Sequence, residues 1–468
     1  MADIFITLSL QHVIYLILLG IFGGMLSGFI GSGGAFVITP GMMAIGAPGV
    51  VAVASNMCHK FPKAMIGAWR RAKLGHLDLK LATLMAVSAM AGVQVGIYVQ
   101  RMIAGALGPA GTDLYVSAMF LVVLPIVAAM SLRDVIKARK YKIQDTEPEF
   151  AEKLEKKFRI PPMIKFKIAR RTQSLWLTVP TGFGTGFLAA TIAVGGFIGV
   201  PSMIYIIGAP SFVASGTELG IAFVMGLTGT FTWAYTLGAV DFRMTALILA
   251  GSLIGVQIGA VGTTYVKEYF IKLAMAVVIL VVTLSRALAI PGILYRLGWI
   301  SLNEASIAVL EQLVFWIMVA AMISVVPIVL IPTIKLRIQL ARAGLSEKAL
   351  LGSKITSMPG SSKRKWALKA VLAASISIAS YVLLFTNADV WTEFATMATI
   401  TAALAVVGIA LYFAVVHGYF AHHLLDLFNI RPVNRQIVEE LRTLSSSEAP
   451  APSQDSTKGQ DLGSAGGC

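Results

Sequence analysis

Four polar residues recur at helical spacing inside one long apolar segment. Asn56, His59, Lys60 and Lys63 stand at i, i+3, i+4 and i+7, which places them on one face of a helix. Lys60 lies about nine residues, or about 14 Å, from the end of the segment at Trp69, farther than a lysine comfortably extends to reach water. The stripe predicts a positive polar surface that binds an anion, or one that lines an aqueous vestibule without binding it.

Two pairs of adjacent glycines open short apolar segments of about 15 residues, which are too short for a straight membrane crossing. These are Gly33 with Gly34, and Gly195 with Gly196. A helix that begins within the membrane presents unpaired N–H groups and a partial positive charge, and glycines let an anion come close. We expect the two helix starts to face each other as an anion cradle. The alternative is that the glycines only permit close helix packing.

Further polar residues stand at matching positions in the two halves of the chain. They are Ser55 with Thr217, Asn56 with Glu218, and Gln94 with Gln257. Glu218 is a candidate proton carrier or a residue facing water near a helix end. For the two glutamines, helix–helix hydrogen bonding and substrate contact both remain open.

An internal repeat relates these halves. SGGAFVITPGMMAIGAP at 32–48 returns as VGGFIGVPSMIYIIGAP at 194–210, and GVQVG at 92–96 returns as GVQIG at 255–259. The offset stays at 162 or 163 residues, so the chain contains a duplicated unit.

Composition places the chain in a membrane. Of its 468 residues 57% are hydrophobic and 13% charged, with a mean hydropathy of +0.79. Long continuous apolar runs predict helices, so the fold class is an all-α polytopic membrane protein. The net charge of +15 comes from Lys and Arg in loops beside apolar runs, which is typical of cytoplasmic loops and not of a nucleic-acid binder.

Thirteen apolar runs and three basic clusters predict the organisation. If both short runs cross the membrane, each half has five segments and the halves are inverted, with the N-terminus outside and every basic cluster inside. If they are re-entrant, the halves are parallel; we prefer the inverted arrangement.

The predicted units are a first transmembrane repeat (1–131), a basic cytoplasmic linker (132–173), a second repeat (174–290), about three additional helices (291–416) with a basic cytoplasmic loop (335–365), and a largely disordered cytoplasmic tail (417–468).

Motifs for other chemistries are missing from the sequence. It has no GxxxxGK[ST], G-x-S-x-G or H-E-x-x-H, so we expect neither an ATP-driven pump nor an enzyme. His417, His422 and His423 have no completing ligands at known spacing, so we expect a solvated helix start there and no metal or other cofactor.

The motifs GFIGSGGAFVITP at 28–40 and AVGGFIGVP at 193–201, each followed by a Gly-Ala-Pro turn and later by G-V-Q-[VI]-G, resemble the TauE/SafE family of sulfite and organosulfonate permeases. The resemblance covers residues 10 to 290. It implies transport of sulfur-containing anions, often export.

Together these features predict a multi-pass protein of the inner, or plasma, membrane. Its predicted activity is secondary transport of sulfite, an organosulfonate or a related anion by alternating access of two repeats. Its predicted partners are the small anion, the lipid bilayer and a coupling proton, with no nucleic acid. The alternatives are an anion channel and a membrane anchor subunit of a redox complex.

Overall fold

In the computed structural model, the described residues are 4–30, 33–73, 75–141, 149–265, 268–342 and 363–427. Besides a few residues of the two repeats, three longer predicted segments lie outside the described residues. They are 142–148 of the linker, 343–362 of the basic loop and 428–468 of the tail.

The described chain is built from fourteen helices and one two-stranded antiparallel sheet. The first half and the linker comprise α1 (Leu10–Ile30), α2 (Ala35–Ala44), α3 (Gly49–Lys73), α4 (Leu79–Tyr141), α5 (Glu149–Lys157), β1 (Met163–Phe166) and β2 (Arg171–Ser174). The second half comprises α6 (Leu175–Ile192), α7 (Gly195–Ser202) with a π-helical turn (Met203–Ile207), α8 (Ser211–Leu237), α9 (Phe242–Tyr265) and α10 (Glu268–Arg296). The C-terminal helices are α11 (Glu304–Arg342), α12 (Lys363–Thr386), α13 (Ala388–Thr396) and α14 (Ile400–Leu427).

Nine helices in the described part of the chain are long and apolar enough to cross a membrane. One of them, α4, joins two helices across Gly108, whose φ of 64° and ψ of −162° are not helical. The 25-residue α3 has the length of a crossing but is not among the nine because its polar stripe lowers its hydropathy. The predicted helical membrane class is confirmed. The short apolar runs are the short helices α2 and α7.

Glycines bring the first helix of each half against the fourth helix of the other half. A Cβ on Gly20 would overlap the backbone of Ile248, and one on Gly28 would overlap that of Val256. Residue numbers rise together along this contact, so α1 and α9 run parallel. The pair α4 and α6 repeats the arrangement, with Gly182 against Met85 and Gly186 against Ala89. Such close backbone approach is what small residues provide in membrane helices.

The third helices of the two halves, α3 and α8, pack against each other in opposite directions. Gly229 contacts Met57, whereas a Cβ on Gly67 would lie 3.0 Å from Leu219. Two matching helices that run antiparallel are related by a two-fold axis perpendicular to both helices. The inverted two-repeat arrangement stays our prediction, and this packing supports it.

The linker is more structured than its composition predicts. The β1–β2 hairpin reaches the C-terminal end of the α7 turn, where Arg171 Nε donates to the Gly208 carbonyl at 3.0 Å and Gln173 Nε2 donates to the Ile207 carbonyl at 3.2 Å. These side chains satisfy carbonyls that a helix end leaves without partners.

Three predicted unit boundaries fall inside helices. α4 continues to Tyr141, within the predicted linker, and α10 continues past residue 290 to Arg296. α14 extends beyond residue 416 to Leu427, so the predicted tail begins as helix. Hydropathy marks where a helix leaves the apolar layer, and a helix can continue beyond it.

Candidate functional site

The N-terminal turns of the two short helices meet inside the bundle. Phe36 in the first turn of α2 and Phe197 in the first turn of α7 pack ring against ring, with centroids 4.8 Å apart. Neither helix has a side-chain cap on its first N–H groups, because Gly34 and Val194 occupy the capping positions. The positive ends of two helix dipoles therefore approach each other at this point.

Asn56 fastens α3 to the start of α2. Its Nδ2 donates to the Ala35 carbonyl at 3.1 Å and to Thr39 Oγ1 at 2.8 Å. The side chain is fully buried, so these bonds satisfy an amide that would otherwise be costly within the membrane. Asn56 thus fixes the position of the α2 N-terminus relative to the polar stripe.

His59 continues the network to α9. Its Nδ1 lies 3.3 Å from Asn56 Oδ1 and its Nε2 lies 2.7 Å from Ser252 Oγ. Because an amide oxygen only accepts, Nδ1 donates, and in the neutral ring Nε2 accepts from the serine hydroxyl. Both ring nitrogens are satisfied, so His59 orders the site.

Lys60 is the buried cation at the centre of the site. It is 7% exposed, and its Nζ has no hydrogen-bond partner in the part of the chain that the structure describes. A Cβ on Gly33 would lie 4.0 Å from Lys60 Cε, so the lysine chain runs beside the residue that precedes the α2 N-terminus. Lys60 adds its charge to the partial charge of the helix end.

Glu218 is the matching residue in the second half, and it faces α7 as Asn56 faces α2. It is 1% exposed, and neither carboxylate oxygen has a hydrogen-bond partner among the residues described. A Cβ on Gly199 would overlap this carboxylate. Glu218 and Lys60 interact electrostatically without a hydrogen bond between them.

The four predicted glycines lie at the two helix starts with different surroundings. Gly33 has a φ of +104°, which favours glycine, whereas a Cβ on Gly34 would overlap the backbone of Gly23 in α1. A Cβ on Gly195 would lie 2.7 Å from Ala189 Cβ, and Gly196 is buried in the first turn of α7. Gly34 and Gly195 are thus required for packing, whatever else they do.

Ser55 and Thr217 lie at opposite ends of the antiparallel α3–α8 pair, and no described contact joins either of them to Lys60. Each hydroxyl accepts a hydrogen bond from the backbone N–H of an aspartate in the other half: Asp241 for Ser55, at 3.0 Å, and Asp78 for Thr217, at 3.1 Å. These predicted site residues have a helix-joining role in the structure.

The two predicted glutamines also lie apart from the central cluster. Gln94 is exposed on α4, and its Nε2 donates to Thr232 Oγ1 of α8 at 3.0 Å. Gln257 is half-buried on α9, and no described contact joins it to Lys60. Of the two readings left open for Gln94, the structure shows the helix–helix hydrogen bond.

Thr39 and Ser252 complete the Asn56–His59 network but were not predicted from the sequence. Neither was Arg286, a fully buried arginine inside a long apolar helix. A charged residue within a predicted crossing is itself a signal of function, and it could have found Arg286. No comparable signal distinguishes Thr39 or Ser252 from other hydroxyls in membrane helices.

The prediction of a solvated helix start at the three histidines is wrong in part, because His417 and His423 are buried in the C-terminal half of α14, whereas His422 is exposed. His417 is 6% exposed, with Nδ1 2.8 Å from Ser377 Oγ and Nε2 3.0 Å from the Ala250 carbonyl. The ring therefore joins α14 to α12 and α9. In the described part of the chain no group of His, Cys, Asp and Glu could hold a metal ion.

The central arrangement is a donor-rich, positively charged surface within the membrane. It combines two uncapped helix starts with one unpaired ammonium group, and its fixed hydrogen bonds are made by Asn56 and His59. Such a set is suited to recognition of a small anion.

The family model of the sulfite exporter TauE/SafE matches residues 16–286. A relative of known sequence, the probable membrane transporter protein YjnA of Bacillus subtilis (strain 168), is 24% identical over 278 residues, which cover 57% of this chain and 96% of the relative. No solved structure matches the chain. With nine helices of sufficient length and hydropathy to cross a membrane among its described residues, it is a multi-pass plasma membrane protein. Because the family model covers more than half of its residues, the chain belongs to the sulfite exporter TauE/SafE family of membrane transporters.

Proposed function

We propose that this membrane transporter is a secondary carrier that exports a small sulfur-containing anion, such as sulfite or an organosulfonate, by alternating access of its two halves. The observation that carries the proposal is the unpartnered Lys60 ammonium beside Gly33, at the meeting point of the α2 and α7 N-termini. Membership of the family supports the substrate class.

The charges at the site favour an oxyanion. Each helix N-terminus contributes about half of an elementary positive charge, and Lys60 contributes a full one. Against this sum stands the carboxylate of Glu218, the one acidic residue of α8. Sulfite and sulfonate oxygens accept hydrogen bonds from backbone N–H groups and from the ammonium group, which would satisfy donors that the fold leaves without partners.

The unpaired state of Lys60 requires a partner within the membrane. Leaving a charged side chain near the bilayer centre costs about 2.5–3.5 kcal/mol or more. An anion at the α2 N-terminus would offset this cost, and so would Glu218. Glu218 is the candidate proton carrier of the proposed mechanism, because protonation of its carboxylate would leave Lys60 to the anion.

Alternating access is supported by the packing of the halves. The antiparallel α3–α8 pair carries Asn56, His59 and Lys60 on one helix and Glu218 on the other. Relative motion of the two halves would therefore change the surroundings of Lys60 and Glu218 together.

The experiment is counterflow of [³⁵S]sulfite in proteoliposomes under anoxic conditions, compared with taurine. We expect saturable uptake that internal sulfite accelerates. Lys60→Met should raise the KM about tenfold or more, equivalent to about 1.4 kcal/mol, at unchanged membrane abundance. Lys73→Met, which removes an exposed lysine at the end of the same helix, is the matched control and should change the KM little.

Two outcomes would contradict this reading. If Lys60→Met lowers abundance and the double variant with Glu218→Gln restores it, Glu218 and not the anion is the lysine's partner. Flux that neither saturates nor responds to internal sulfite would identify a channel.

A further inference from the structure

Arg286 is a second buried cation, distant in sequence from the central site. It lies on α10 and is 2% exposed. Its Nη2 donates to Ser285 Oγ at 3.3 Å, and its Nε has no hydrogen-bond partner. A guanidinium group has five N–H donors, so most of its hydrogen-bonding capacity is unused among the described residues.

A buried phenol without a partner lies beside this arginine. Ser285 Oγ donates to the Val314 carbonyl of α11 at 3.4 Å, and the ring of the next residue, Phe315, packs against Tyr15 of α1 with centroids 5.3 Å apart. The Tyr15 hydroxyl is buried and has no hydrogen-bond partner within the described ranges, and Tyr15 interacts electrostatically with Arg286. The unused N–H donors of Arg286 and the unused hydroxyl of Tyr15 thus lie in the same region, between α1, α10 and α11.

The nearby acid is committed elsewhere. Asp113 of α4 accepts a hydrogen bond from the Gly49 N–H at Oδ1, at 2.6 Å, and its Oδ2 pairs with Arg296 Nη2 at 3.0 Å. Asp113 acts on Arg286 only at longer range, because no ion pair within 4.0 Å joins the Arg286 guanidinium to a carboxylate among the described residues. Arg286 therefore has no counter-ion of its own among the residues that the structure describes.

The position of Arg286 is on the predicted outer side of the bundle. Arg296, at the end of α10, is half-exposed and lies about three turns, or about 15 Å, beyond Arg286. Tyr15 lies in the second turn of α1, whose start is predicted to face outside. Arg286 is thus buried beneath the outer rim.

We propose that Arg286 and Tyr15 form a second anion site, for an oxyanion of the sulfite or sulfonate class, on the outer half of the transport path. The planar guanidinium fork matches two oxygens of such an anion, and the phenol O–H supplies a third donor. An oxyanion there would be the missing counter-ion of a charge buried at membrane depth. This inference rests on the proposed function and adds to it a site where the anion stays before release.

Equilibrium binding of [³⁵S]sulfite to the purified full-length chain under anoxic conditions tests the proposal. We expect two equivalents bound by the unaltered chain and one by Arg286→Gln. Tyr15→Phe, which removes only the hydroxyl, should weaken one of the two sites about tenfold and leave the other unchanged. Tyr295→Phe on the same α10 helix is the matched control and should retain both sites. Lys60→Met should weaken binding at the other site about tenfold or more, in line with the rise in KM expected for it.

The outcomes separate this site from the central one. The second site would be overturned if the unaltered chain binds a single equivalent, if Lys60→Met weakens it, and if Arg286→Gln and Tyr15→Phe retain it. This result would leave the proposed function intact. No sulfite binding and no sulfite transport by the unaltered chain would overturn both. If Arg286→Gln does not fold, Tyr15→Phe decides: unchanged affinity at both sites contradicts the proposal.

Discussion

Asp78 and Thr217 join the two halves of the chain through a hydrogen bond in which the aspartate N–H donates to the threonine hydroxyl at 3.1 Å. Asp241 and Ser55 make the matching bond at the other end of the bundle, at 3.0 Å. Each bond connects the third helix of one half to the start of the fourth helix of the other half. The hydroxyls at these two positions therefore hold the halves in register.

Thr217→Val and Ser55→Ala should each destabilise the protein by about 1–3 kcal/mol, because each leaves a buried backbone N–H without an acceptor. The two sites are far apart, so the effects should add. Thermal unfolding in detergent measures the loss, and Thr83→Val, which removes an exposed hydroxyl on α4, is the control. Weaker sulfite binding without a loss of stability would instead make these hydroxyls substrate ligands.

Gly34→Ala should lower thermal stability, since the added Cβ would overlap the Gly23 backbone and force α2 away from α1. Gly184→Ala on α6 is the matched control, because its Cβ would meet nothing within 4 Å. That change should be neutral or stabilise by about 0.5–1 kcal/mol, as alanine is the better helix former. Unchanged stability of Gly34→Ala would show that α1 and α2 are not so tightly packed.

Glu218→Gln should retain sulfite counterflow but lose the acceleration of transport by an imposed proton gradient. The Glu218 carboxylate is buried and interacts electrostatically with Lys60. Glutamine keeps the shape of this side chain without a titratable proton. The measurement compares uptake with and without a pH difference across the liposome membrane. A variant that still responds fully to the gradient would remove Glu218 from proton coupling.

Single cysteines should report an inverted arrangement of the halves. In a background of Cys58→Ala and Cys468→Ser, Ile168→Cys in the linker hairpin should react with an impermeant maleimide only from the cytoplasmic side. Trp299→Cys between α10 and α11 should react only from outside; both residues are exposed. Labelling of both from the same side would contradict the inverted arrangement.

The sequence by itself determined the class of the protein and the outline of the candidate site. Hydropathy and the distribution of Lys and Arg are properties of the linear chain, and so is the repeat that pairs Gly33 with Gly195 and Asn56 with Glu218. Helical spacing alone placed His59 and Lys60 on one face with Asn56. These inferences need only local geometry, which the chain carries in its order of residues.

The tertiary structure alone decided which polar groups meet. His59 bonds to Ser252, 193 residues away, and Thr217 bonds to Asp78 and not to a residue near Lys60. Arg286 and Tyr15 lie together only because α1, α10 and α11 pack side by side. Spacing along one helix fixes the face a residue shares with its neighbours, but the rotation and depth of each helix against the others depend on packing summed over many contacts across the chain.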